Sequence, residues 1–140
     1  MGVEGKQALE AALERFSADT GTLHRLREDG LLHLEAWAGN IPEHLLPVIQ
    51  KIPVGKGIAG LAVERKAPVD MCNLQTDTSG QARPGAKSTG VQGSVCVPLM
   101  AGDEAVGALG IATARERIFT EAEIEELMAL GRTLAGNPSV

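Results

Sequence analysis

Apolar residues recur at steps of three and four at the start of the chain. Leu9, Ala12, Leu13 and Phe16 fall on one narrow stripe, which predicts an amphipathic helix over 6–16. The period then changes to two. The stretch TLHRLREDGLLHLEAWAG alternates on both sides of Asp29-Gly30, a pair suited to positive φ, and predicts a hairpin closed by a type I′ turn. With that turn, Leu26 faces His33 and His24 faces Glu35 across the strands.

Further along, Pro42 opens a short helix through Gln50, with Asn40 placed to cap it. GIAGLAVERK predicts a second short helix from Ile58 to Lys66, and APVDM a short strand. Residues 75–90, QTDTSGQARPGAKSTG, are dense in Gly, Ser, Thr and Pro and read as one long loop, functional or mobile. GSVCVPLM and EAVGALGIATA are strands joined by a tight turn at Ala101-Gly102-Asp103. Alternation along the first of them puts Ser94 and Cys96 on one face and Val95, Val97 and Leu99 on the other. Thr120 caps a final helix, with Glu123 completing a capping box. Its apolar stripe is Ile124, Leu127, Met128, Gly131, Leu134 and Ala135, and Gly136 and Pro138 end it. Successive hairpins with a helix at each end predict an α+β fold with a central antiparallel sheet.

Composition narrows the function classes. A chain of 140 residues, 44% apolar and 22% charged, suits a single domain over 1–140 with a core from about 5 to 135. Phe16, Trp37 and Phe119 are the entire aromatic set, and the net charge is −5. Nucleic-acid surfaces need clustered Lys and Arg and several stacking rings, so no direct nucleic-acid partner is expected. No apolar run has the ~20 residues of a membrane span, and MGVEGKQALE is too polar for a signal peptide. Lys6 occupies the place where a myristoylation signal wants Ser or Thr. With Cys72 and Cys96 as the only cysteines, a reducing cytoplasm and free thiols are expected.

Residues 52–60, IPVGKGIAG, raise a sharper possibility, because Gly55, Gly57 and Gly60 spell the dinucleotide fingerprint G-x-G-x-x-G. That motif acts only between a buried parallel strand and a long helix, with an acid about 20 residues on. Here KIPV is short and broken by Pro53, the following helix is brief, and Asp70 comes too early. No Gly-Lys-Ser/Thr completes a phosphate loop either. The glycines are better explained by a sharp turn and a closely packed helix start.

The order IPVGKGIAGLAVERKAPV, a polar loop, GSVCVPLMAGDEAVGALGIATA and RIFTEAEIEELMALGRTLA closely resembles the GAF domain family, over about residues 5–135. The marks of the resemblance are the glycine segment before a helix, Pro98-Leu99 ending a strand, and the run from Gly107 to Leu127 into the closing helix. It implies an antiparallel sheet of five or six strands, both terminal helices on one face and a ligand pocket on the other. It further implies a cytoplasmic small-molecule sensor within a bacterial-type signalling protein, joined to an output domain such as a kinase or transcriptional activator. Homodimerisation through the terminal helices is expected with it, and a ligand-free dimerisation module is the alternative.

Sub-classes of the family are separable by their residues. Cyclic-nucleotide members resemble this chain at Phe119 and Glu123, but their Asn-Lys and Asp-Glu pairs are missing. Bilin binding wants an aromatic pocket that this composition lacks. His24, His33 and His44 have no short ligand spacing, and read as two surface strand histidines and one on a helix. The free methionine-(R)-sulfoxide reductases of the family use a thiolate and a resolving thiol. In them one cysteine stands where Ala59 is and the catalytic one lies within the stretch STGVQG. An acid stands where Ser94 is, and further acids correspond to GIATA. Cys72 and Cys96 match none of these places, so a sensor rather than an enzyme is expected. No cofactor is specified. Carried onto the family geometry, the alternation predicts a pocket lined by Ser94 and Cys96, with Gln92 at its mouth, Asn73 at the hinge of the loop and Trp37 as an apolar wall.

Overall fold

The computed structural model describes residues 2–39, 41, 43, 46–71, 93–115 and 118–136. The elements are α1 (Gly2–Phe16), β1 (Thr20–Leu26), β2 (Leu31–Gly39), α2 (Leu46–Ile49), β3 (Lys51–Pro53), α3 (Gly57–Arg65), β4 (Val69–Met71), β5 (Gly93–Ala101), β6 (Glu104–Thr113) and α4 (Glu121–Gly136). The strands form one six-stranded antiparallel sheet in the order β3-β2-β1-β6-β5-β4. The two edge strands are the shortest, which limits the unpaired backbone they present.

The apolar stripes predicted at both chain ends are what hold the helices down. Leu9, Ala12 and Phe16 of α1 and Leu127 and Leu134 of α4 bury against Leu23, Val95, Val97, Leu99, Leu109 and Ile111 of the sheet. α4 begins at the predicted capping box. Thr120 Oγ1 accepts from the Glu123 amide at 3.1 Å, and Glu123 Oε1 accepts from the Thr120 amide at 2.9 Å. A second cluster lies on the opposite face, where Ala62 and Val63 of α3 meet Leu32, Ile52, Val69, Cys96 and Ala108. Cys96 and its neighbours Val95 and Val97 thus divide between the two faces as alternation predicts.

The hairpin between β1 and β2 departs from the predicted turn. Arg27 donates to the Leu31 carbonyl at 3.0 Å and Gly30 to the Arg27 carbonyl at 3.0 Å, which makes a three-residue loop, Glu28-Asp29-Gly30. Gly30 alone in this loop takes positive φ, at 80°. Asp29 organises the turn through its side chain: Oδ1 accepts from the Leu31 amide at 3.0 Å and Oδ2 from His33 Nε2 at 2.8 Å. Leu26 therefore pairs with Leu32, and His24 with Leu34, one residue away from the expected register. The pairing shifts back between Leu23 and His24, so that Leu23 meets Ala36 and Thr22 meets Trp37. A bulge at Glu35 absorbs the extra loop residue, and past it the expected register holds.

Of the short helix expected from Pro42 to Gln50, Leu46–Ile49 is helical, whereas Asn40, Pro42 and His44 lie outside the described residues. The loop at 75–90 lies outside them as well. Among the described residues, no helix is long and apolar enough to cross a membrane.

Candidate functional site

The glycine segment spends its amides on itself. Gly55 donates to the Gly60 carbonyl at 2.9 Å, Lys56 to that of Pro53 at 3.1 Å, and Gly60 to that of Lys56 at 3.1 Å. Gly55 and Gly57 hold positive φ, at 88° and 66°. A Cβ on Gly60 would stand 2.5 Å from the Pro53 carbonyl oxygen. The motif therefore folds a turn back onto the first turn of α3. Those three donors are unavailable to a pyrophosphate.

The face carrying α3 has a more suggestive surface. Strand register sets Trp37 of β2, Thr22 of β1, Gly110 of β6, Cys96 of β5 and Val69 of β4 in one row across the sheet. Directly paired residues share a face, so all five point the same way. The neighbouring row runs Gly39, Thr20, Ala112, Ser94 and Met71. Between Thr22 and Cys96 the floor is low, because Gly110 has no side chain. A Cβ there would lie 2.9 Å from Cys96 Sγ and 3.4 Å from Thr22 Oγ1. α3 lies over β5 and β6, which roofs the Cys96 end. At the far end Trp37 keeps 42% of its surface exposed, roughly 14 Å away across three strand spacings.

Three of the expected site residues, Trp37, Ser94 and Cys96, thus share this face in adjacent rows, and they are not equivalent. Cys96 is 5% exposed, and burial pushes its thiol up to about 12, so it remains a protonated, unreactive core group at neutral pH. Ser94 is half-buried and Trp37 open. Asn73 and Gln92, and Cys72 with them, lie outside the described residues. Thr22 is the neighbour that sequence reasoning passed over. Its signal was the alternation of TGTLHRL, which needed the register of two further strands before it could be joined to Trp37 and Cys96.

The histidines correct another expectation. His24 is 2% exposed rather than on the surface, because β1 is a central strand. It sits in the row beside Thr22, paired to Leu34 and Ala108, and its Nε2 donates to the Ile49 carbonyl at 2.8 Å. Burial holds the imidazole below its usual range, against a smaller upward pull from that carbonyl. His33 sits at the hairpin turn with Asp29. Among the described residues, no three His, Cys, Asp or Glu side chains gather into a metal-binding group.

On the helix-bearing face, Arg25 and Glu35 form an ion pair that the sequence did not disclose. Arg25 Nη2 and Glu35 Oε2 are 3.0 Å apart with side chains 9% and 6% exposed, and Arg25 Nη1 donates to the Leu134 carbonyl at 3.1 Å.

Comparison with known proteins gives a consistent result. The family model for the GAF domain matches residues 5–136. No curated protein matches the chain by sequence. Among solved structures, a type II free methionine-R-sulfoxide reductase from Thermoplasma acidophilum superposes with TM-score 0.77 at 21% identity, covering 96% of this chain and 89% of that one. The GAF domain of a phosphoenolpyruvate-protein phosphotransferase from Coxiella burnetii gives TM-score 0.77 at 24% identity, covering 94% and 77%. A free methionine-R-sulfoxide reductase from Neisseria meningitidis, solved with its substrate, gives 0.77 at 18%, covering 94% and 73%. At these identities the likeness is one of fold.

Proposed function

Because the chain belongs to the GAF domain family, we propose that it is a regulatory module that binds a small molecule over the row from Trp37 to Cys96. The observation that carries this reading is the exposed indole of Trp37 beside Thr22, on the sheet face opposite the terminal helices. An aromatic wall with a few half-buried hydroxyls, here Thr20, Thr22 and Ser94, is the usual make-up of a site for a small, hydrogen-bonding ligand. The terminal helices, packed on the other face, are the natural route to a neighbouring output domain and the surface through which two copies would pair.

Trp37 is the chain's single tryptophan, and there is no tyrosine. Its emission therefore reports on this site without interference. Titration with a metabolite panel is expected to shift or quench that emission for one chemical class, with the same compound retained in native mass spectrometry. A ligand that binds without touching the emission, and whose affinity survives Thr22→Val and Ser94→Ala, would place binding elsewhere and end this reading.

A second reading is thiol-dependent reduction of free methionine-R-sulfoxide, favoured by the likeness to reductases of the same fold. Against it stands Cys96, whose buried thiol cannot supply the thiolate such chemistry begins from. Turnover of methionine-R-sulfoxide with a dithiol reductant, lost in Cys72→Ser, would favour the enzyme. No turnover in wild type, with ligand binding unchanged in Cys72→Ser, favours the sensor.

A further inference from the structure

We propose that the bulge joining His24, Arg25 and Glu35 is the coupling point of this domain, transmitting displacement of the α2 layer on one face of the sheet to α1 and α4 on the other. His24 and Arg25, two of the few buried polar side chains among the described residues, are consecutive on β1 and point to opposite faces. On one side His24 holds the Ile49 carbonyl, the last residue of α2. On the other, Arg25 reaches the Leu134 carbonyl in the last turn of α4 and grips Glu35 of β2. The Glu35 carboxylate lies beside α1, with Oε2 4.0 Å from where a Cβ on Gly5 would be.

The bulge is what makes this arrangement possible. Leu23 pairs with Ala36 and His24 with Leu34, leaving Glu35 as the extra residue, so Glu35 turns toward the helices alongside Ala36. Trp37, the next residue on, returns to the opposite face. β6 lies close against β1 at the same place, where the absence of a side chain on Gly107 lets the His24 carbonyl oxygen approach. The charges match the helix ends they meet, with a cation at the C-terminus of α4 and a carboxylate near the N-terminus of α1.

Pulling a buried ion pair apart in a low-dielectric setting is costly, because a charge that loses its partner there keeps its full desolvation penalty. Arg25 Nε and Glu35 Oε1 are already buried without hydrogen-bond partners among the described residues, so the pair has little to fall back on. When the strand moves at His24, the guanidinium and carboxylate must move together and take Leu134 and the start of α1 with them. The direction of signalling, from the α3 face outward, rests on the sensor reading. The coupling itself does not.

The test is a double-mutant cycle read by hydrogen exchange without ligand. His24→Leu removes the bond to Ile49, and Arg25→Met with Glu35→Leu replaces the ion pair by an apolar pair of similar size. With the ion pair present, His24→Leu is expected to speed exchange in the last turn of α4 by about tenfold, the scale on which neighbouring groups couple. In the apolar-pair background the same change should alter that turn by less than about twofold, while α2 and β3 respond equally in both. Equal responses of α4 in the two backgrounds, or none in either, would overturn the proposal. Should the apolar pair fail to fold, Glu35→Gln, which keeps the shape and removes the charge, takes its place with the same two outcomes. Because no ligand enters, this cycle can fail with the sensor reading intact, and it can succeed in a domain that binds nothing.

Discussion

His24 and Cys96 show how burial decides chemistry one residue at a time. The lowered pKa of His24 means the unfolded chain takes up a proton before the folded one does. Its contribution is fully present above the unfolded value of about 6.5 and is lost as pH falls below it toward the folded pKa. Urea midpoints measured from pH 8 to pH 5 should therefore decline in wild type and decline less in His24→Leu. Equal slopes in the two proteins would mean that other groups set the acid limit. Cys96, with its thiol pushed up to about 12, should stay unlabelled by iodoacetamide in the native protein and react only on unfolding, as peptide mapping would show. Both outcomes depend on burial. The residue types are plain in the sequence; their depth is not, since both histidines lie on interior strands, and His24 is covered beside the Ile49 carbonyl while His33 sits out at the hairpin turn.

At the level of elements, the glycine segment and the caps carry the sharpest expectations. Gly60→Ala would push a methyl toward the Pro53 carbonyl oxygen at 2.5 Å, and is expected to cost about 1–3 kcal/mol, as overpacking does. Chemical denaturation would measure it, and a neutral result would show that the turn can open without loss. Thr120→Ala removes one half of the reciprocal cap on α4, and should cost about 1 kcal/mol. The exposed Arg15–Glu126 pair between α1 and α4 contributes little by comparison, with side chains 64% and 45% exposed. The capping box, the helical stripes and the alternation of β5 were all legible, because each is a local pattern of a few residues. The hairpin was legible only in part. Asp29-Gly30 marked the turn, but the loop takes in Glu28 as well, and of the three residues only Gly30 adopts the positive φ that a type I′ turn wants at both Asp29 and Gly30.

For the whole molecule, the outward surfaces of the terminal helices bear on self-association. Glu10 and Glu14 of α1 and Glu121, Glu125 and Glu126 of α4 are exposed, against Lys6, Arg15 and Arg132. If two copies pair through these helices, like charges meet, and salt should strengthen the dimer by screening them. Sedimentation velocity at low and high salt would show the dimer fraction rising. A monomer under both conditions would remove this face as a homodimer surface and leave it to a different partner.

The sequence by itself determined the fold class, the order of the elements apart from the short strand β3, and the two helical stripes, since these rest on periodicity and capping along the chain, and the order of its motifs carried the resemblance to the family. It also set aside the dinucleotide loop, whose three glycines lack the strand and helix that would make them one. Only the tertiary structure decided which residues meet. The row from Trp37 through Thr22 and Gly110 to Cys96 joins residues far apart in the chain through the register of four strands. The burial of His24 follows from the central place of β1, and the Arg25–Glu35 pair from a bulge of a single residue. Register and bulges are fixed by how the whole sheet packs between its two helical layers, and no local pattern records that balance.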